Sequence, residues 1–424
     1  MKKKQHSISL KAYRCPQTGR DIHYSFAHLR GGGGQRKSTS TPPLLSTDVD
    51  ASHVKDDGDD ASGGDTVSII GPSAACWIFF YPAGPNRRLL ESVISRYTPE
   101  FECDRDVFFI CLNRPGKCGT SSSSPTSDTS NISPEQEYIG TACNDIITII
   151  DYYQVPQVSL FYMCAGSTFA YSFAKQHPER TTGYILGLSS WILRHDGKRN
   201  NAKDDDDGAG EDFSSNIDCT TPSNMNSTIH SWAMHGYFGP KSIISSLAGG
   251  IVSSAPVFIN SFPRHWVADG LKKGLSNNER REFDELYPED GGLAFVENIA
   301  WSYEDSDGDG SVFVNVVDAN VAEESNGKRV PNKNDGNAKD LAVCLSTQQD
   351  LGMEYNSSVP KQKRVLLWHG ENDKMVNVAG AEYLESMLDN ATLSYVSEGT
   401  HQGTMLFFPR DVMLELNQVS NNLK

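Results

Sequence analysis

The chain has 424 residues, a formal net charge of -16 and a hydrophobic fraction of 38%. An acidic excess of this size disfavours general binding to nucleic acid, and no apolar run approaches the roughly 20 residues that cross a bilayer. The length allows several domains, but one domain with insertions also reaches it, and we expect the latter.

The cysteines and the first residues of the chain indicate the cellular compartment of the protein. The nine cysteines are odd in number and contain no CxxC pair, which argues against a disulfide framework and against a zinc ribbon. We therefore expect reduced thiols, with Cys15 and Cys219 in exposed segments. Residues 1–6 are basic and lack the apolar core of a signal peptide, so a cytoplasmic location is expected. The oligomeric state stays open.

The first third of the chain alternates between strand patterns and polar segments. Residues 7–13 (SISLKAY) and 21–27 (DIHYSFA) flank a turn-rich segment and predict a hairpin. Residues 31–72 are too poor in apolar residues to pack, which predicts a disordered insertion. Buried strands are predicted at residues 74–81 (AACWIFFY) and 107–112 (VFFICL).

The central stretch predicts a strand that turns directly into a helix. An amphipathic helix at residues 137–153 leads into the apolar run at 158–162, and helical spacing then resumes from Phe169. Between them lies the sequence MCAG. A sharp strand-to-helix turn with a nucleophilic side chain at its apex and Gly two residues later is a nucleophile elbow. Cys164 occupies the apex and Gly166 the later position.

These residues resemble the α/β-hydrolase family. In that family the elbow helix has small residues six and ten positions after the nucleophile and Pro at fourteen. The corresponding residues here are Ala170, Ala174 and Pro178. The sequence departs from the family at Cys164, where Ser is usual, and at Tyr162, where the family has Gly because helix and strand pack closely there.

The loop after the predicted strand at 74–81 resembles the family's HG-x-PG loop, whose backbone N–H groups help to form an oxyanion hole. Tyr81 and Pro82 replace the family's His and Gly. Pro82 has no N–H, but the resemblance assigns the two donors to the next residue, Ala83, and to Ala165. Residues 113–121 (NRPGKCGTS) resemble the loop that follows the family's next strand.

The alternation of strands and helices stops between residues 191 and 344, where the family commonly inserts a helical cap. The resemblance therefore implies a hydrolase core of residues 1–30, 73–190 and 345–424. Within the cap region, residues 194–228 predict disorder, and helix-like segments occur at 243–247 and 278–286. An EF-hand-like stretch at 305–312 lacks the Glu required at the twelfth position, so neither a metal site nor a cofactor is expected.

The last part of the chain predicts a strand at 364–369, a helix at 379–388, a strand at 392–396 and a helix at 411–416. The segment GENDKMV follows the first of these strands and resembles the family's acid loop, which places Asp373 at the acid position. His401 follows the second strand and matches the family's His. The order nucleophile, acid, His agrees with the family.

Two functional classes remain open. The first is a hydrolase that acts on an ester, thioester or lactone bond of a small to medium acyl compound through Cys164, Asp373 and His401. The second is a non-catalytic binding or scaffold protein with the same fold, favoured by the two departures at the elbow. A resemblance at the level of the fold does not choose between them.

Overall fold

The computed structural model describes residues 6–31, 70–71, 73–83, 85–97, 101–122, 132–193, 264–287, 335–344, 346, 348, 350–353, 355, 363–406 and 410–423. Most of the insertion predicted at 31–72 lies outside these residues. So do the disorder predicted at 194–228, the helix-like segment at 243–247 and the EF-hand-like stretch.

A single mainly parallel sheet organises the described part of the chain. Its strands are β1 (His6–Arg14), β2 (Asp21–Leu29), β3 (Ala75–Phe80), β4 (Val107–Leu112), β5 (Val158–Met163), β6 (Thr181–Leu188), β7 (Arg364–Gly370) and β8 (Ala391–Val396). They lie in the order β1-β2-β4-β3-β5-β6-β7-β8. β2 runs antiparallel to β1 and β4, and the remaining pairs are parallel. The predicted α/β-hydrolase fold is confirmed.

The helices are α1 (Leu89–Tyr97), α2 (Pro134–Tyr152), α3 (Gly166–Gln176), α4 (Arg264–Lys273), α5 (Asn277–Leu286), α6 (Asp335–Cys344), α7 (Val378–Met387), α8 (His401–Leu406) and α9 (Arg410–Asn422). α2 and α3 contribute to the hydrophobic cluster on one face of the sheet, and α1 and α9 to the cluster on the other. The central strand β5 is therefore buried along its whole length. Its side chains alternate between the faces, with Leu160 on the first and Phe161 on the second.

Between residues 191 and 344, where a cap is predicted, the described helices are α4, α5 and α6. α5 agrees with the helix predicted at 278–286. It begins at Ser276, whose hydroxyl accepts from the N–H of Glu279 while the Glu279 carboxylate accepts from the N–H of Ser276. This reciprocal capping box satisfies two backbone donors that the first turn would otherwise leave unpaired.

α6 is held to the core by a buried charge cluster. Asp340 accepts from Arg114 Nη1 at 2.7 Å, from Lys117 Nζ at 3.0 Å and from Tyr138 Oη at 2.7 Å. All four side chains are buried. Two cations around one carboxylate hold the pKa of Asp340 below its ordinary value, although burial alone would raise it. The cluster ties α6 to α2 and to the loop after β4.

Candidate active site

Cys164 lies between β5 and α3 with a backbone φ of 46°. This left-handed conformation costs a non-glycine residue on the order of 1–3 kcal/mol and persists only where its surroundings fix it. Here the Cys164 N–H donates to the Leu188 carbonyl at 2.9 Å, and its own carbonyl accepts from Ser167 N at 3.0 Å and Trp191 N at 3.3 Å. The predicted sharp turn is present, with Cys164 at its apex.

The start of α3 packs closely on the end of β3. A Cβ atom at Gly166 would overlap the Phe80 carbonyl oxygen and would lie 3.0 Å from the Tyr81 carbonyl oxygen. Only glycine allows this approach, which sets the elbow beside the chain that leads to Ala83. Ala165 is buried, and Ala83 packs against the same hydrophobic cluster. The two predicted oxyanion donors therefore belong to neighbouring segments.

The Tyr162 ring occupies space that a side chain on the neighbouring strand would otherwise fill. Its register partner in β6 is Gly187, and a Cβ atom there would overlap the Tyr162 ring. The Tyr162 hydroxyl lies 2.7 Å from Ser190 Oγ and 3.1 Å from Tyr171 Oη. The ring extends into the cluster on the α2 and α3 face, whereas Cys164 belongs to the cluster on the opposite face.

Asp373 and His401 form a buried pair. His401 Nδ1 donates to Asp373 Oδ2 at 2.7 Å, while Asp373 Oδ1 accepts from the N–H groups of Met375 at 2.9 Å and Val376 at 2.8 Å. Burial would raise the pKa of Asp373, but its hydrogen bond with His401 and the backbone donors lower it. Asp373 is therefore an anion that fixes the orientation of the imidazole.

His401 also lies close enough to Cys164 for the two side chains to interact. Burial alone would lower the pKa of His401, but hydrogen bonds with Asp373 and Cys164 and the charges of both raise it to about 10. His401 is 3% exposed and Cys164 is 8% exposed. The fold thus brings Cys164, Asp373 and His401 together beyond the carboxyl ends of β5, β7 and β8.

A second histidine contacts the same carboxylate. His369, at the end of β7, is fully buried, and its Nε2 lies 3.6 Å from Asp373 Oδ2 and 3.1 Å from the Val376 carbonyl oxygen. Burial lowers the pKa of His369, so a neutral imidazole can donate to the carbonyl. The sequence offered no signal for this residue beyond its position at a strand end.

Other predictions concern cysteines, metals and membranes. None of the eight described cysteines forms a disulfide, and all are buried. Cys15 is thus buried rather than exposed, and Cys219 lies outside the described residues. Within the described ranges, no cluster of three His, Cys, Asp or Glu side chains is arranged to hold a metal ion. The helices of this part of the chain are too short or too polar to span a bilayer.

Comparisons with known proteins place the fold. No protein-family model matches the sequence, and no curated protein matches it. Among solved structures, the chain is similar to an α/β-hydrolase fold protein from Nakamurella multipartita, at 12% identity and a TM-score of 0.50, covering 97% of this chain and 99% of that one.

Two further solved structures are similar at lower scores. One is the 2-hydroxy-6-oxo-6-phenylhexa-2,4-dienoate hydrolase from Rhodococcus sp. strain RHA1, at 11% identity and a TM-score of 0.47, covering 98% of this chain and 99% of that one. The other is an esterase from Rhodococcus sp. ECU1013, at 12% identity and a TM-score of 0.47, covering 98% and 100%. At these identities the likeness concerns the fold.

Proposed function

We propose that the protein is a hydrolase that cleaves an ester, thioester or lactone bond of a small to medium acyl compound with Cys164 as nucleophile. The observation that carries this proposal is the buried hydrogen bond between Asp373 and His401, whose imidazole lies beside Cys164. Each member has the role that its chemistry allows: a buried anion, an imidazole oriented by it, and a thiol at a strained elbow.

Before the first half of the reaction, the proton of the Cys164 thiol passes to His401 Nε2, because Nδ1 is bound to Asp373. The raised pKa of His401 favours the protonated imidazole that results, and the N-terminus of α3 stabilises negative charge beside it. The thiolate attacks the carbonyl carbon. The N–H groups of Ala83 and Ala165 receive the oxyanion, and the leaving group departs with the proton from His401.

In the second half, a water molecule loses a proton to His401 Nε2 and attacks the acyl thioester. The new tetrahedral intermediate collapses and the carboxylic acid leaves. The Cys164 thiolate is then restored beside the protonated His401. Esters, thioesters and lactones suit this site better than amides, because their leaving groups need less assistance from an acid.

The alternative is a binding or scaffold protein that keeps the fold without the reaction. The replacement of the family's Ser by Cys164 and of its Gly by Tyr162 favours it. The seat of Tyr162 over Gly187 supports the catalytic proposal instead, since the ring need not displace the elbow.

Labelling by iodoacetamide followed by mass spectrometry tests the proposal. Cys164 should react fastest of the described cysteines at neutral pH, and His401→Ala should slow its labelling. Cys76 is the matched buried control, because burial raises its pKa to about 12. Cys15 is the other cysteine that could react quickly. Burial alone would raise its pKa, but hydrogen bonds from Thr18 lower it.

Hydrolysis of p-nitrophenyl acetate is the second measurement. Cys164→Ala should abolish turnover, Cys164→Ser should keep part of it, and Cys76→Ala should leave it unchanged. If Cys164 labels no faster than Cys76 and no acyl compound is turned over, the binding alternative replaces the hydrolase.

A further inference from the structure

The cap helix α5 contacts the chain immediately before His401 through one buried carboxylate. Glu279 Oε1 accepts from the Thr400 N–H at 2.7 Å, and Oε2 accepts from the Thr400 hydroxyl at 2.9 Å and from Ser276 N at 2.8 Å. Glu279 is 8% exposed. A Cβ atom at Gly403 would overlap the carboxylate, so the first turn of α8 is shaped to admit it.

Thr400 in turn fixes the backbone of His401. Its hydroxyl accepts from the Gly403 N–H at 3.1 Å, and its carbonyl accepts from the Thr404 N–H at 2.9 Å. Thr400 thus caps α8, the helix that begins with His401. A shift of Thr400 would carry the imidazole with it.

The same loop meets the chain that bears Asp373. The Gly399 carbonyl accepts from Asn372 N at 2.8 Å. A second tie to α5 joins Asn278 Nδ2 to Glu398 Oε2 at 2.9 Å. Residues 398–400 are therefore held between α5 on one side and the acid loop on the other.

We infer that Glu279 is a positioning residue, which sets His401 against Cys164 by holding Thr400 from the cap. Its catalytic consequence rests on the proposed function; the positioning itself does not. Since Glu279 belongs to the cap region and His401 to the core, the active site is complete only while α5 is docked. Displacement of α5 would release the base without touching the sheet.

Glu279→Gln tests this inference because the amide keeps one acceptor but turns an N–H₂ group toward a donor. We expect kcat to fall roughly 10- to 100-fold, as for other displacements of about 1 Å in a catalytic group, with KM nearly unchanged. Glu285→Gln on the exposed side of α5 is the matched control and should leave kcat unchanged.

A double-mutant cycle tests the link between Glu279 and Thr400. Thr400→Val should lower kcat less in the Glu279→Gln background than in the wild type, because the two residues act as one unit.

Two measurements need no substrate. Glu279→Gln should speed hydrogen exchange of the Thr400 amide about tenfold, the effect of losing one net hydrogen bond, and should split the His401 ring signal in NMR spectra into more than one position. An inactive wild-type protein with unreactive Cys164 would refute the proposed function alone. Unchanged Thr400 exchange with a single His401 signal would overturn the positioning role, as would unchanged kcat in an active enzyme.

Discussion

Tyr162 of β5 and Gly187 of β6 are register partners, and the Tyr162 ring fills the space that a side chain at 187 would occupy. The bulky residue beside the elbow is therefore matched by an absent side chain on the next strand. The pair explains how a sequence without the family's usual Gly at 162 can keep the turn at Cys164.

Gly187→Ala should destabilise the protein by about 1–3 kcal/mol, the usual cost of overpacking a core. Gly183→Ala is the matched control in the same strand, because a Cβ atom there meets nothing within 4 Å. Urea unfolding of both variants measures the difference. In a double-mutant cycle, Gly187→Ala should cost less in the Tyr162→Ala background than in the wild type. Equal stability of Gly187→Ala and Gly183→Ala would contradict the packing account.

Removal of Asp373 should lower the pH at which His401 loses its proton. In the wild type, the pKa of about 10 keeps the imidazole charged at neutral pH, and the charge is lost as the pH rises through that value. Asp373→Asn removes the hydrogen bond to an anion, which favours the charged ring, so the midpoint should move to lower pH. NMR titration of the His401 ring shows the direction, and an unchanged midpoint would mean that Cys164 alone sets the shift.

Asp340→Asn should cost on the order of 3–5 kcal/mol of unfolding free energy, because Arg114 and Lys117 lose the buried carboxylate that they share. Asp284→Asn is the control. Asp284 pairs with Lys272 at the same 2.7 Å, but its side chain is 59% exposed, so its loss should cost less than about 1 kcal/mol. Denaturant midpoints of the two variants decide whether burial or distance governs the cost.

The backbone of Cys164 should carry measurable strain. Cys164→Gly should be more stable than Cys164→Ala by about 1 kcal/mol, since glycine adopts a positive φ without the penalty of a Cβ atom. Within α3, where the backbone is helical, the change Ala174→Gly should instead destabilise by about 0.5–1 kcal/mol. Thermal unfolding of the variants measures both signs, and a common sign would exclude strain at the apex.

Local patterns sufficed for much of the core. The apolar run of β5 and the helical spacing of α3 are readable over a few residues, because the sheet is buried on both faces. β7, which precedes Asp373, is readable for the same reason. β8, which precedes His401, lies at the edge of the sheet and is only partly buried, so its apolar and aromatic residues alone indicate a strand.

Features that depend on distant partners could not be predicted. α6 reads as a polar segment, and its Asp340 becomes a core residue only through Arg114, 226 positions away. Glu279 reads as the capping-box acid of α5, and its second role needs Thr400, 121 positions along the chain. The partner that makes room for Tyr162 is on another strand. In each case the deciding contact is made by the fold, beyond any local window.

The two ends of the segment between Trp191 and Cys344 contact each other where they join the core. The Trp191 indole N–H donates to the Cys344 carbonyl at 3.2 Å across 153 positions of sequence, and the Trp191 backbone N–H donates to the Cys164 carbonyl. Because the two ends already meet, the closure entropy changes only slowly with the length of chain between them. Outside α5 and α6, which contact the core, the chain between these ends can therefore gain or lose residues at a small entropic cost while Trp191 and Cys344 stay together.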